Sequence, residues 1–405
     1  MSSREGAAAS RAWWRRRASV AILTAFAVLG IVVGEAFVAT PRLSWTALAR
    51  ASADQLRAES GIHLYAVNGR AFGVLGAFHV LTFDTSRFEF QIGLAHHAID
   101  GGRQTPGAIC QATAGCVAAV NGDYFDMTPF GTPDPGDSVG GVVRACALIH
   151  TPEISHQQVD LSNQTVSEGL NWHASLTIDG VVVPVTAINQ ELPLAYSNVR
   201  LPLTGTLLYE APYKLPVPSK GERVIDEFTD GGSPVIPTTI NTTSQLVLVS
   251  QTQGPVRVKS GEVDVSAALG SPLASLQIGQ TATLTTTSTS GCNDVGGHPI
   301  LLDHGIRVPV SRADTYMATP SARSVVGWTS SGEAVVVVVD GRDGVSGATA
   351  NQLDNLLESL GVVTALNLDG GLSSTLYVGG RVVNRPLHNV SRPVSTALLI
   401  MPISS

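Results

Sequence analysis

Five consecutive valines behind an alanine, Ala334 to Val339 (AVVVVV), leave this stretch of chain little choice of structure. β-branched side chains lose rotamer freedom in a helix and fit a pleated sheet, and a run without alternation needs apolar cover on both faces. The segment therefore reads as an interior strand. It ends in Asp340-Gly-Arg342-Asp343-Gly. Beyond it, Thr349 to Gln352 (TANQ) has capping-box form, Leu353, Leu356, Leu357 and Leu360 recur at i, i+3, i+4 and i+7, and Gly361 supplies a stop, so a helix follows. Val362 to Leu368 (VVTALNL) reads as a second buried strand. Strand, helix and strand at this spacing predict a right-handed crossover between neighbouring parallel strands. Asp340 and Asp369 then both stand just beyond carboxyl ends of strands, where open sheets hold ligands. A hairpin follows, STLYV and RVVN joined by Gly379-Gly380, which returns Asn384 and Arg385 toward Ser373 and Ser374.

Most of the remaining chain has the same habit. HLYAV, HVLTF, FEFQIGLA and CVAAVNGDYF are short apolar runs, and between Leu170 and Leu284 strand follows strand, broken by Pro and Gly. With 41 Gly, 22 Pro and only Lys214, Lys220 and Lys259 as lysines, strands and turns outweigh long helices. No period of 20 to 50 residues signals a solenoid or propeller. The expected fold class is α+β: a strand-rich mixed sheet domain with a C-terminal strand-helix-strand unit and hairpin.

The first forty residues read as a targeting element. Arg4, Arg11, Arg15, Arg16 and Arg17 precede the apolar run Ala18 to Gly34, which Ala36 to Ala39 extends to a length of about 20 residues that spans a bilayer. A basic flank ahead of such a run predicts a cytoplasmic N-terminus and an exported remainder. Residues 1–40 are thus read as a basic flank plus signal anchor or signal peptide, with membrane contact through 18–39. Residues 41–61 read as a juxtamembrane helical spacer and 62–405 as one domain, within which 151–290 is a variable strand-rich part. The expected location is the cell membrane with an extracellular C-terminal domain, or secretion. The chain carries a net charge of −7, of which the flank contributes +4, so the exported part is near −11 and nucleic acid is not an expected partner. The even number of cysteines, Cys110, Cys116, Cys146 and Cys292, fits an oxidising compartment. Cys110 with Cys116 would close a local loop and leave Cys146 with Cys292, but three pairings are open.

Asp369-Gly370-Gly371 places a carboxylate beside bare backbone, which is a turn signal and equally a way to bring backbone close to a ligand. Val120 to Asp126 (VNGDYFD) repeats the pattern of apolar strand, amide, carboxylate and aromatics, a composition that also builds sugar-binding clefts. Asp340 and Asp343 admit a divalent cation, although the regular spacing of a calcium loop is missing and no cofactor is required.

Together these motifs resemble the phosphodiester glycosidase family, typified by the lysosomal uncovering enzyme that removes N-acetylglucosamine from phosphodiester-linked mannose. The resemblance rests on SARSVVGW, AVVVVVDGRDG, the leucine-patterned helix, LNLDGGLSS and VNRP, with AVNGDYF and GGHPILLDHGI upstream. It runs from about His79 to Pro402 and is loose between Thr151 and Ser290. It departs from the family pattern at Leu372 in place of a third glycine, at Ser324 in place of threonine and at Ala322 in place of proline.

What the resemblance implies is a hydrolase acting at the glycosidic bond of a sugar-1-phosphodiester on a phosphorylated glycan. Asp369, with Asp123 or Asp340 as partner, falls in the catalytic role. Asn121, Arg323, Arg342, Gly370, Gly371, Ser373, Ser374, Asn384 and Arg385 fall in substrate binding, with Arg323 and Arg385 as phosphate anchors. A non-catalytic cell-envelope glycan-binding protein with the same fold is the alternative, and Leu372 is its chief support. A serine hydrolase built on Ser374 lacks the Gly-x-Ser-x-Gly elbow.

Overall fold

The computed structural model describes residues 61–126, 136–152, 156–190, 205–217, 223–230, 238–311 and 313–403. The basic flank, the apolar run and residues 41–60 of the spacer lie outside them. Among the described residues no helix is long and apolar enough to cross a membrane.

The valine strand Ala334–Val339 is buried along its whole length near the centre of a seven-stranded sheet. The order is Ile62–Asn68, Ala77–Phe83, Ala334–Val339, Arg323–Thr329, Val362–Asn367, Ile300–Asp303 and Ile306–Arg307. Successive valines point to opposite faces, so both must be covered. Val335, Val337 and Val339 pack beneath Leu353, Leu356 and Leu357 of the helix Ala350–Ser359. Thr349 and Gln352 close both arms of the capping box on that helix. On the other face Val336 and Val338 meet Phe90, Val120 and Leu398 of a second, five-stranded sheet. That sheet runs Arg381–Val382, Leu376–Val378, Ala118–Asn121, Thr396–Pro402, Phe88–Leu94, and its outer face is capped by the helix Pro106–Gln111 through Ile109. The layers are therefore helix, sheet, sheet, helix.

Two expectations are corrected. The valine strand and Val362–Asn367 run in the same direction but are not neighbours, because Arg323–Thr329 lies between them, antiparallel to both. Arg323–Thr329 pairs with Val339 through Ala334 on one side and with Asn367 through Val362 on the other, so the crossover skips one strand. The sheet is also not mixed: each of its neighbouring pairs is antiparallel. Among the described strands, parallel pairing joins only Val181–Ile188 to Thr206–Glu210. The intervening strand has a consequence for chemistry. Arg323 pairs with Val339 and Val325 with Asn367, so Arg323 starts at the edge where Asp340 and Asp369 leave the sheet.

Between these elements the chain closes a seven-stranded barrel, in the order Val181–Ile188, Thr206–Glu210, Glu262–Ala268, Arg223–Asp230, Thr243–Thr252, Thr281–Ser288, Trp172–Ile178. Closure removes sheet edges, and Leu176, Val185, Leu208, Phe228, Leu248 and Val265 fill the interior. Five short strands, among them Val142–Arg144 and Asn293–Gly296, form a further sheet. The disulfides are Cys110–Cys116 and Cys146–Cys292, the local-loop pairing of the three.

Candidate functional site

The two motifs that looked alike in the sequence are stitched together in space. Asp369 donates its amide to the Gly122 carbonyl at 3.1 Å, and its own carbonyl accepts from Asn121 Nδ2 at 2.7 Å. Asn121 Oδ1 in turn accepts from Ser324 Oγ at 2.7 Å and from the Thr375 amide at 3.1 Å. A buried asparagine that spends its amide on three segments fixes their register, and this is a positioning role. It leaves Asn121 no group for substrate.

Asp369, Gly370 and Gly371 line a cleft of about 590 Å³ together with Leu372, Tyr124, His156, His298, Asp314, Tyr316, Asp343 and Arg392. Glycine is favoured at 370, because a Cβ there would crowd both the Tyr316 hydroxyl and the Ala322 carbonyl oxygen. Gly371 follows with φ of 58°, a conformation that favours glycine. Burial pushes the Asp369 carboxyl up to about 7, against the Ser373 hydroxyl, the Gly370 amide and the charge of Arg392, while Asp123 adds to the rise. Burial also raises both tyrosines, Tyr124 and Tyr316, above the ordinary phenol range, so they stay neutral donors. Tyr124 donates to the His298 carbonyl at 3.0 Å, and His298 Nε2 stands 2.9 Å from Asp314 Oδ2.

Asp123 is fully buried and saturated. Its carboxylate accepts from the Tyr124 amide at 2.7 Å, the Gly140 amide at 2.7 Å and Ser138 Oγ at 3.2 Å, and pairs with His156 Nε2 at 3.0 Å. A carboxylate so occupied is held in place by its four partners and does not line the cleft. It acts on His156: burial works against charging that ring, but the charge and hydrogen bond of Asp123 outweigh it and the His156 pKa is raised.

Arg323 lies behind the cleft wall rather than in its lining. Its side chain is fully buried, with Nε on the Ala348 carbonyl at 3.1 Å and Nη2 on the carbonyls of Tyr316 at 2.6 Å and Thr319 at 3.0 Å. Three carbonyls thus take Nε and Nη2 and hold the 316–319 turn in place, while Nη1 is buried and has no hydrogen-bond partner among the described residues. Ser373 and Ser374 are likewise buried behind the cleft. Ser374 gives its carbonyl to Asn384 Nδ2 at 3.1 Å.

The remaining expected residues gather elsewhere. Asp340, Arg342, Asn384 and Arg385 line a second cleft of about 660 Å³ with His79, His388 and Asn389. There Asp340 Oδ1 accepts from the Arg385 amide at 2.8 Å and from Asn384 Nδ2 at 3.3 Å. Burial pushes Asp340 up to about 6 and His79, 3.5 Å from it, down to about 4. The expected constellation is thus divided, with Asp369 and its glycines in one cleft and Asp340 with Arg385 in the other.

The C-terminal part decides what these clefts resemble. Residues 274–401 match the phosphodiester glycosidase family. The resemblance drawn from the motifs stands on that segment, which holds Asp340, Asp343, Asp369 and Arg392. Over 79 residues, 19% of this chain and 12% of the relative, the chain is 38% identical to the uncharacterized protein YomE of the SPbeta prophage of Bacillus subtilis (strain 168). It therefore spans about an eighth of that curated relative's length. A hypothetical protein from Synechocystis superposes at a TM-score of 0.64 with 18% identity, over 85% of this chain and 62% of that one. A candidate exported protein from Burkholderia pseudomallei K96243 does so at 0.62 with 20% identity, over 81% and 74%. At such identities the likeness establishes the fold. The wall formed by Tyr124 and His156 lies outside the phosphodiester glycosidase match, on segments that the fold brings against it.

Of the residues lining the cleft of Asp369, the sequence motifs did not single out His156, Tyr316 or Arg392, and they marked Asp343 only as a carboxylate open to a cation. A signal existed for Arg392, since Arg392-Pro393 repeats the Arg385-Pro386 pair on which the reading settled. His156 sits in an unpatterned polar stretch and had none.

Proposed function

We propose that this protein is an exported hydrolase that cleaves the glycosidic bond of a sugar-1-phosphodiester in envelope or extracellular phosphoglycans. The observation that carries the reading is Asp369, a carboxyl pushed up to about 7 in a cleft that also offers Arg392, Asp343 and two tyrosines. A general base works best with a pKa near the working pH. Asp369 takes the proton of an attacking water, and Asp343, one of two further carboxylates in the lining, faces the developing oxocarbenium charge, Asp314 being paired with His298. The leaving phosphate monoester has a second pKa near 6, so it departs without a strong general acid. Arg392 opposes its charge, and His156, whose pKa the neighbouring Asp123 raises, stands beside it. Tyr124 and Tyr316 cover the sugar.

Export is supported by the basic flank and apolar run of residues 1–39 and by two disulfides. The description of the Burkholderia neighbour agrees with it. The deciding experiment is product analysis on sugar-1-phosphodiesters. Free sugar with a phosphate monoester is the expected outcome, and sugar phosphate with a free alcohol overturns the reading. Leu372, 37% exposed in the cleft lining, favours a second reading in which the same cleft retains a glycan without turnover. Saturable binding with neither product formed would support it.

A further inference from the structure

Outside both clefts, the barrel presents a cluster of three carboxylates. On the strand Glu262–Ala268, Val263 and Val265 point into the barrel interior. Glu262 and Asp264 alternate with them and so lie on the outer face. Glu227, on the adjacent strand Arg223–Asp230, is paired directly across from Asp264. One oxygen from each of Glu227, Glu262 and Asp264 lies within 4.8 Å of the others.

Acidic side chains often cluster without a ligand, and Asp264 is what separates this group from such cases. It is fully buried, and among the described residues neither of its carboxylate oxygens has a hydrogen-bond partner. Leaving a buried polar group unpaired costs about 1–3 kcal/mol and more for a charge, so a native structure retains one only with a compensating partner. Lys259 does not supply it. Its ammonium stands 3.1 Å from Glu227 Oε2 and 3.0 Å from Glu262 Oε2, with the side chain 62% exposed, and it neutralises one charge of three.

We propose that Glu227, Glu262 and Asp264 form a binding site for a calcium-type divalent cation on the outer face of the barrel. Calcium takes carboxylate oxygens at about 2.3–2.6 Å, so oxygens on opposite sides of one ion stand about 5 Å apart, the size of this cluster. Mg²⁺, at about 2.0–2.1 Å, needs a tighter shell. Lys259 is the competitor: its stem comes in from solvent, and the ammonium leaves when the cation arrives. The bound ion ties strand 223–230 to strand 262–268 beside Tyr209 and Ile225, which pack into the core shared with the two facing sheets. The site is independent of the hydrolytic reading.

The test uses the full chain, stripped with a chelator, and terbium as the probe. Tyr209 is paired directly across from Asp264 and sensitises a lanthanide bound there. Saturable tyrosine-excited terbium emission is expected, displaced by Ca²⁺ at millimolar or lower concentration, with Ca²⁺ raising Tm by about 2–4 °C. Asp264→Asn should abolish both effects, and Lys259→Met should tighten binding several-fold. Asp369→Asn should bind terbium as the unaltered chain does. Emission that survives Asp264→Asn, or that Asp369→Asn removes, overturns the proposal. Should Asp264→Asn fail to fold by circular dichroism, Glu262→Gln decides: unchanged affinity in that variant sinks the site.

Discussion

The Arg323 guanidinium lies 4.2 Å over the ring of Tyr316 and donates to the carbonyl of the same residue at 2.6 Å. One side chain thus fixes both the backbone and the ring of a cleft wall. Arg323→Ala leaves three carbonyls without their donor, so a loss of about 3 kcal/mol or more is expected in denaturant melts. Turnover should fall alike on phosphodiester and neutral glycoside substrates, because the wall moves for both. A KM rise confined to phosphodiesters, with Tm unchanged, would restore Arg323 as the anchor.

Arg392 is expected to carry that anchor role. Arg392→Ala should raise KM for a nitrophenyl sugar phosphodiester at least tenfold, since a charge-assisted hydrogen bond is worth about 1.5–3 kcal/mol. KM for the matching neutral glycoside should change little. Arg385→Ala, in the other cleft, should leave both within about twofold. The reverse ranking in steady-state kinetics would move the reaction to the cleft of Asp340.

For Asp369→Asn the charge is lost and the shape kept. Turnover should drop by at least about a hundredfold, within the range that general bases contribute, while circular dichroism stays unchanged. Retained turnover would exclude Asp369 as the base. Asp343→Asn should lower kcat with little change in KM, because its charge meets one that develops only in the transition state.

These variants also mark where the sequence was legible. Valine content, leucine spacing and a capping box are local signals, and they located the strand Ala334–Val339, the helix Ala350–Ser359 and the strand Val362–Asn367 correctly. Whether two strands are neighbours is not local: Arg323–Thr329 enters between them from earlier in the chain. The same limit divided the site. The glycines drew attention to Asp369, but only packing decides that Asp340 faces another cleft, that Arg323 Nε and Nη2 bond carbonyls, or that His156 comes to rest against Asp123. Burial makes the difference between a free and an occupied polar group, and a motif does not state it.

Burial also dictates how stability depends on pH. Glu210 is pushed up to about 8 by burial, against hydrogen bonds from Thr238, and Asp294 to about 7 by burial and the nearby charge of Asp160. Asp264 and Asp369 stand at about 7 as well. A carboxyl whose folded pKa exceeds its unfolded value stabilises fully below the unfolded pKa, and that contribution is lost as pH rises through the folded one. His150, paired with Asp137 at 2.9 Å, and His156 are raised too and add the same sign. Between about pH 6.5 and about pH 8.5 the folded chain therefore holds protons that the unfolded chain has shed, and stability falls as pH rises. His79 opposes this at lower pH, since burial depresses it to about 4 and the unfolded chain takes up its proton first. In calcium-free buffer, Tm by differential scanning fluorimetry should be higher near pH 6.5 than near pH 8.5. Asp294→Asn should narrow that gap by raising the value at the alkaline end. A Tm that climbs across this window would show that these carboxyls are ionised and paired in the folded protein.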